Sequence, residues 1–308
     1  MYKKLNEIVK QYNKIIILSH ISPDGDAFGS SWGLKEILSD KFPKKDIQVD
    51  LDDKKSDMTN FFPHSSTLKK AHYDGALIIV LDSAIKNRIA SYSIHHAKEV
   101  VKIDHHLSTE AYGDLNFVNK KASSTCEIVV QIANELEWEI SKVAAKWLYT
   151  GLVTDTGRFM HPSTTQTTFE IAGQLISKGI DTRQMYTSLS AKPLNQVKMN
   201  GYVQSKQKQI NNLSYFIMPK RTYKKFGVPF EQSSGLVFTL MFSSDTKYGF
   251  YAIWDEKNKW YKGSIRSKGV PINEIAERYD GGGHKLACGV KLKNKAEIKS
   301  LIKELSEL

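Results

Sequence analysis

The chain has 308 residues, 41% hydrophobic and 25% charged, the balance of a globular rather than a disordered chain, with room for two ordinary domains. Its 44 Lys+Arg against 33 Asp+Glu give a formal net charge of +11, and only Cys126 and Cys288 are present, which excludes a disulfide-framed secreted module. No apolar stretch approaches the ~20 residues that span a bilayer. The opening MYKKLNEIVKQYNKIIILSH lacks the pattern of a signal peptide, so a cytoplasmic protein with no membrane partner is expected.

Strand and helix signals alternate through the first half. KIIILSH (14–20) is a β-branched run ending in polar residues, and GSSWGLKEILSD follows with Trp32, Leu34, Ile37 and Leu38 at helical spacing. ALIIVLDS (76–83) and EVVKIDHH (99–106) repeat the strand form. Ser124 and Glu127 form the ends of a capping box that opens a helix through IVVQIANEL. Helices are predicted over 141–156 and 167–179, with Gly179 as a C-terminal cap. The alternation predicts an α/β fold: a parallel-sheet domain with helices on both faces.

Between 186 and 210 the composition turns polar and Lys/Gln-rich, which predicts a helical or extended linker between a domain of residues 1–185 and one of residues 211–308. LSYFIMP, YGFYAIWDE and KWYKGSIRS are aromatic-rich strand candidates. PINEIAERY reads as a short helix, GGGH as a glycine turn and AEIKSLIKEL as a terminal helix, making a smaller α+β domain. Tyr223, Tyr248, Phe250 and Trp254 read as core residues rather than base-stacking platforms. Residues 195–308 hold 20 Lys+Arg and 10 Asp+Glu, so nearly all the excess charge lies there. A solvated Lys-rich surface explains that equally well, but it is also the footprint of a domain that meets anions.

Each strand of the first half ends in residues of the metal-ligating type. His20, Asp24 and Asp26 follow the first, Asp82 follows the second, and Asp104, His105 and His106 close the third; Asp155 ends a predicted helix. In open α/β sheets ligands bind beyond the carboxyl ends of the strands, so these residues are expected in one crevice. That many carboxylates repel one another unless divalent cations neutralise them. Mixed oxygen and imidazole donors suit Mn²⁺ best, with Mg²⁺, Co²⁺ or Fe²⁺ as alternatives. Six or seven donors exceed what one ion usually takes, so two ions sharing a carboxylate are expected. Taken singly, Asp24-Gly25 reads as a turn, and His64, His72, His95, His96 and His161 as surface or hydrogen-bonded histidines. The combination, at four separate element ends, is what carries the expectation.

His20-x-x-x-Asp24-x-Asp26, the solitary Asp82, Asp104-His105-His106 and Asp155 resemble the four motifs of the DHH phosphoesterases. Gly281-Gly282-Gly283-His284, with Ser264-Ile265-Arg266-Ser267 upstream, resembles their DHH-associated substrate-binding domain, and the resemblance covers essentially the whole chain. Among two-domain members the chain looks like the nano-RNase and pAp-phosphatase type. The resemblance implies two Mn²⁺ ions, one held by His20, Asp24 and Asp82, the other by Asp26, the shared Asp82, His105 and Asp155. It implies that His106 faces the phosphate, and that Asp104 lies behind the histidine pair and orients it. It also implies a C-terminal domain that closes over the crevice and binds nucleotide through Arg266 and the GGGH segment.

The expected activity is hydrolysis of very short oligoribonucleotides and of linear dinucleotides such as pApA and pGpG to mononucleotides, with pAp 3′-phosphatase activity. A hydroxide bridging the two metals would attack phosphorus in line, assisted by His106. Arg266 offers a planar fork for a terminal phosphate. The glycines let backbone approach a ligand, His284 can stack or hydrogen-bond, and Arg158, three residues past Asp155, reads equally as a phosphate contact or a surface ion pair. A second copy of the chain, as a homodimer, is the one protein partner considered. Two other readings stand beside this: an inorganic pyrophosphatase or exopolyphosphatase with the same metal motifs, and a non-catalytic nucleic-acid-binding protein built on the basic domain.

Overall fold

Every residue of Ile15–Leu18 and of Leu77–Leu81 is buried, which for a strand means apolar cover on both faces of its sheet. The computed structural model describes residues 2–53, 58, 61–65, 68–90, 92–107 and 109–308. They form two units, Met1–Ser190 and Ala191–Leu308.

The first unit opens with helix α1 (Lys3–Gln11), strand β1 (Lys14–Leu18), helix α2 (Gly25–Lys41) and strand β2 (Asp46–Val49). A single turn, α3 (Lys70–Tyr73), precedes the strands β3 (Leu77–Leu81), β4 (Glu99–Asp104) and β5 (Leu115–Val118). Four helices close the unit: α4 (Thr125–Glu135), α5 (Lys142–Asp155), α6 (Gln166–Ile176) and α7 (Thr182–Ser190). The five strands pair in parallel in the order β2-β1-β3-β4-β5. Alternate strand residues supply two cores. Ile15, Ile17, Leu77, Ile79, Val101 and Ile103 pack under the long helices. Ile16, Leu18, Ile78 and Val80 pack with Tyr73, Ile89 and Ile94, so the second face is covered by short turns rather than by long helices. The order reverses direction between β1 and β3, and such a reversal opens a crevice at the carboxyl ends of the strands.

The capping box of α4 forms with a shift. Ser124 Oγ accepts from the Glu127 N–H at 3.0 Å, while Glu127 returns its bonds to Ser123 (N 3.3 Å, Oγ 2.6 Å) and to Thr168 Oγ1 at 2.8 Å. Gly179 takes the left-handed conformation expected of a cap, φ +75°.

The second unit contains α8 (Leu194–Lys206), β6 (Lys208–Ile210), β7 (Leu213–Met218), the turn α9 (Thr222–Lys225) and a 3₁₀ segment, Phe230–Met241. Strands β8 (Tyr248–Asp255) and β9 (Trp260–Ser267), helix α10 (Asn273–Glu277), strands β10 (Gly282–His284) and β11 (Ala287–Leu292), and helix α11 (Lys295–Ser306) complete it. Its mixed sheet has the order β10-β11-β9-β8-β7-β6. Much of the stretch read as a linker, 186–210, is therefore helical: Met199 and Val203 of α8 are buried with Phe216, Tyr223 and Leu236 in a core of this unit. GGGH is not a turn. Gly282–His284 is an edge strand antiparallel to β11, with Gly283 opposite Cys288 and His284 opposite Ala287. Tyr223, Tyr248 and Phe250 are buried, and Trp254 packs against the core that holds Tyr248 and Phe250, as core residues should. Among the described residues no helix is long and apolar enough to cross a membrane.

Candidate metal centre

The loop leaving β1 carries His20 and then Asp24, which caps α2: its Oδ1 accepts the N–H groups of Asp26 and Ala27 at 3.0 and 3.1 Å. Asp24, which taken singly reads as part of a turn, is in fact a helix cap, and that role does not keep it from the site. His20 Nε2 lies 3.9 Å from that Asp24 oxygen and 3.6 Å from Asp82 Oδ2. Asp82 follows β3 with φ +53°, in the left-handed region that short polar side chains tolerate best after glycine.

A second group gathers around the first turn of α2. Asp26, 1% exposed, is gripped by the N-terminus of α4: Thr125 N–H donates to Oδ2 at 2.7 Å and Cys126 N–H to Oδ1 at 2.9 Å. Those are N–H groups that a helix start leaves without partners, and they favour an anion. Thr125 Oγ1 also donates to Asp82 Oδ1 at 3.1 Å. His105 Nε2 lies 4.0 Å from Asp26 Oδ2, 3.5 Å from Asp82 Oδ1 and 3.6 Å from Asp155 Oδ2. Potential ligand atoms of His20, Asp24 and Asp82 lie within 4.8 Å of one another, and so do those of Asp26, His105 and Asp155 and those of Asp82, His105 and His106. Asp82 belongs to two of these groups, between the two histidine-bearing strand ends.

Asp104 stands behind. It is fully buried, and its Oδ1 meets His106 Nδ1 at 2.7 Å and the His106 N–H at 3.3 Å. Its hydrogen bonds to the pair therefore go to His106 and not to His105. The other oxygen, Oδ2, accepts from Thr109 Oγ1 at 2.8 Å and lies 3.2 Å from Lys102 Nζ.

The electrostatics follow from crowding. Burial and the neighbouring Asp82 push Asp26 up to about 7. Burial, Asp26 and Asp82 push Asp155 up to about 9. Burial acts to raise Asp82 as well, but the hydrogen bond from His20 and the charges of His105 and His106 hold it below the usual carboxylate range. Burial of Asp104 is likewise outweighed, by hydrogen bonds from His106 and Thr109 and by the charges of His106 and Lys102. The Asp104 hydrogen bond raises His106, and Asp82 raises His20 against the opposing effect of burial. Carboxyls pushed so high beside imidazoles mark a buried space short of positive charge, and a mixed oxygen and nitrogen donor set fits divalent metal ions there.

Arg158 lies apart from these groups: its Nη2 donates to Ser190 Oγ at 3.0 Å, and its backbone has φ +63°. In the second unit, strand register sets His284, Ala287, Arg266 and Gly249 in one row across four strands. Paired residues share a face, so His284 and Arg266 project to the same side over a floor made by Ala287. A Cβ on Gly281 would lie 2.1 Å from the Gly289 carbonyl oxygen, so that backbone approach admits only glycine. Arg266 spends Nη1 on the Ile265 carbonyl at 2.9 Å and rests 4.8 Å from the ring centre of Phe238. Its buried Nε has no hydrogen-bond partner among the described residues. Sequence reasoning passed over Thr125, Thr109, Lys102 and Phe238. Only the capping motif at Ser124 hinted that a helix start would lie here, and nothing local marked the others.

Comparison with known proteins places these observations. The model for the DHH family N-terminal domain matches residues 14–152, and that for the DHHA1 domain matches residues 214–308. The chain is 34% identical over 312 residues to the probable bifunctional oligoribonuclease and PAP phosphatase NrnA of Streptococcus mutans, and equally to the bifunctional oligoribonuclease and PAP phosphatase NrnA of Bacillus subtilis. Each match covers 100% of this chain and 98% of the relative. A solved structure, an exopolyphosphatase-related protein from Bacteroides fragilis, is similar with a TM-score of 0.85 at 27% identity, over 99% of this chain and 95% of that one.

Proposed function

This chain belongs to the DHH family, and on that footing we propose that it is a Mn²⁺-dependent phosphoesterase of the cytoplasm. Its substrates would be very short oligoribonucleotides, linear dinucleotides such as pApA and pGpG, and pAp. The observation that carries this reading is Asp82, whose two oxygens face His20 on one side and His105 on the other at 3.6 and 3.5 Å. His20, Asp24 and Asp82 would hold one ion, and Asp26, Asp82, His105 and Asp155 the other. Ions so placed supply Lewis-acid activation of water and neutralise charge developing on the phosphoryl oxygens.

The chain's own residues do the rest. The α4 N-terminus fixes Asp26 through two N–H groups, so that carboxylate is oriented before any ligand arrives. His106, held at Nδ1 by Asp104, presents its Nε2 to hydrogen-bond a phosphoryl oxygen or pass a proton to the leaving oxygen. In the second unit Arg266 and His284, on one face of the sheet, would grip a terminal phosphate and the adjoining nucleoside.

The names of the Streptococcus and Bacillus relatives support the nucleotide reading, whereas that of the Bacteroides structure points to polyphosphate. A panel of pAp, pApA, pGpG, short RNA, a cyclic dinucleotide and pyrophosphate, assayed with Mn²⁺, separates them. Faster release of phosphate from pyrophosphate than of nucleotide from pApA would overturn the proposal.

A further inference from the structure

One buried charge beside the site has no part in the chemistry above. Lys102 sits in the middle of β4 with 0% exposure, among the largest fully buried side chains of the chain. An ammonium there must spend every donor. Its Nζ donates to the carbonyl oxygens of Ala84 and Glu110 at 2.9 and 2.8 Å and bonds the Thr109 hydroxyl. It lies 3.2 Å from Asp104 Oδ2 and 4.5 Å from the ring centre of Tyr112. Thr109 in turn donates to the same Asp104 oxygen at 2.8 Å.

Asp104 is thereby divided. One oxygen is taken by Lys102 and Thr109; the other is left for the His106 backbone N–H and ring Nδ1. A carboxylate held at one end cannot rotate away from the imidazole at the other, so the ring is fixed in one orientation and Nδ1 is the nitrogen that carries the proton. A buried ion pair adds little stability over a well-packed apolar pair, so fold maintenance alone is a weak account of an ammonium at this place.

We propose that Lys102 is a positioning residue for His106: through Thr109 and Asp104 it locks the His106 ring so that Nε2 points at the phosphoryl group. This rests on the reading of His106 as the residue that faces the phosphate. It touches none of the groups assigned to the metals, so metal loading should not depend on it.

The test is a double-mutant cycle on the Mn²⁺-loaded full chain with pApA. His106→Ala is expected to lower kcat by about 10²-fold or more. Lys102→Met, which keeps length and apolar stem, is expected to lower kcat by about 10- to 100-fold with KM and bound Mn²⁺ unchanged. In the His106→Ala background the same Lys102→Met change is expected to do nothing further. Equal losses in both backgrounds would overturn the Lys102 proposal alone, while an unimpaired His106→Ala enzyme would overturn the reading of His106 beneath it. Should Lys102→Met fail to fold, because it strands Asp104 without its cation, the neutral pair Lys102→Met with Asp104→Asn takes its place. That pair is expected to match Asp104→Asn alone in kcat, and native kcat in it would overturn the proposal. Nitrogen-15 spectra of metal-free protein supply a readout without turnover: the hydrogen-bonded His106 Nδ1–H signal should be present in the native chain and lost in Lys102→Met, and its persistence would count against the lock.

Discussion

Gly29 of α2 and Gly151 of α5 meet where the two helices cross, so closely that a Cβ built on Gly29 would lie 2.9 Å from the Gly151 Cα and 2.6 Å from the Trp147 carbonyl oxygen. The contact sets the distance between Asp26, in the first turn of α2, and Asp155, the last residue of α5. A Cβ at Gly151 would stand 2.3 Å from Cys126 Sγ and 2.9 Å from the Gly25 carbonyl oxygen. Gly151→Ala should therefore spread the helices, destabilise the fold by about 1–3 kcal/mol and weaken Mn²⁺ binding by moving Asp155 away from Asp26. Thermal unfolding and Mn²⁺ titration check both halves, and native values in each would refute the helix crossing as the spacer of the site.

Asp82 is the side chain common to both proposed ion sites, and its backbone is left-handed at φ +53°. Asn keeps that conformation at little cost, whereas Ala adds backbone strain to the lost carboxylate. Asp82→Asn is thus the cleaner substitution. Turnover of pApA is expected to fall more than about 10²-fold, beyond what losing an outer-shell contact costs, with bound Mn²⁺ reduced. Near-normal turnover would remove Asp82 from the centre of the mechanism.

Arg266→Ala should raise KM for dinucleotides by about 10- to 100-fold, the value of a charge-assisted hydrogen bond to phosphate. A small chromogenic phosphodiester lacking the terminal phosphate should be much less affected. Phe238→Ala should reproduce part of the KM effect, because its ring supports the Arg266 guanidinium at 4.8 Å. Equal losses on both substrates would argue against phosphate anchoring.

The metal-free protein should lose stability as pH rises. Asp26 and Asp155 have folded values of about 7 and about 9 against an ordinary 3.8. A carboxyl raised in the fold contributes its full stability below the unfolded value and loses it as pH climbs through the folded one. The raised histidines His20, His105 and His106 act in the same direction. Tm without metal is expected to drop by about 5 °C or more from pH ~5 to ~9, and saturating Mn²⁺ should remove most of that slope and release protons on binding. A flat metal-free profile would contradict the crowding of the carboxyls.

Much of the first unit was legible because its signals are local. Short β-branched runs such as IIIL and LIIVL read as doubly covered strands, and the residues that end them, His20, Asp82 and Asp104, fall at the carboxyl edge by simple continuation. The second unit was harder. Gly282–His284 looks like a turn on its own and becomes a strand only because β11 offers it partners three to seven residues on. Residues 194–206 look like a helical or extended polar linker, yet Met199 and Val203, with Tyr202 beside them, seat the helix on a core.

The sequence by itself determined the strand ends, the kinds of donor placed there and the charge imbalance between the two parts, because each depends on neighbours a few residues apart. Tertiary structure alone decided which backbone N–H groups grip Asp26, that Asp104 serves His106 and not the pair, and that a lysine lies sealed behind them. The grip on Asp26 joins separate elements, Cys126 lying a hundred positions away, while Asp104 and His106 are two positions apart and meet through side-chain geometry. No periodicity or spacing encodes them. The grip on Asp26 exists only once α2 and α4 have packed together on the sheet and brought the partners within hydrogen-bond reach.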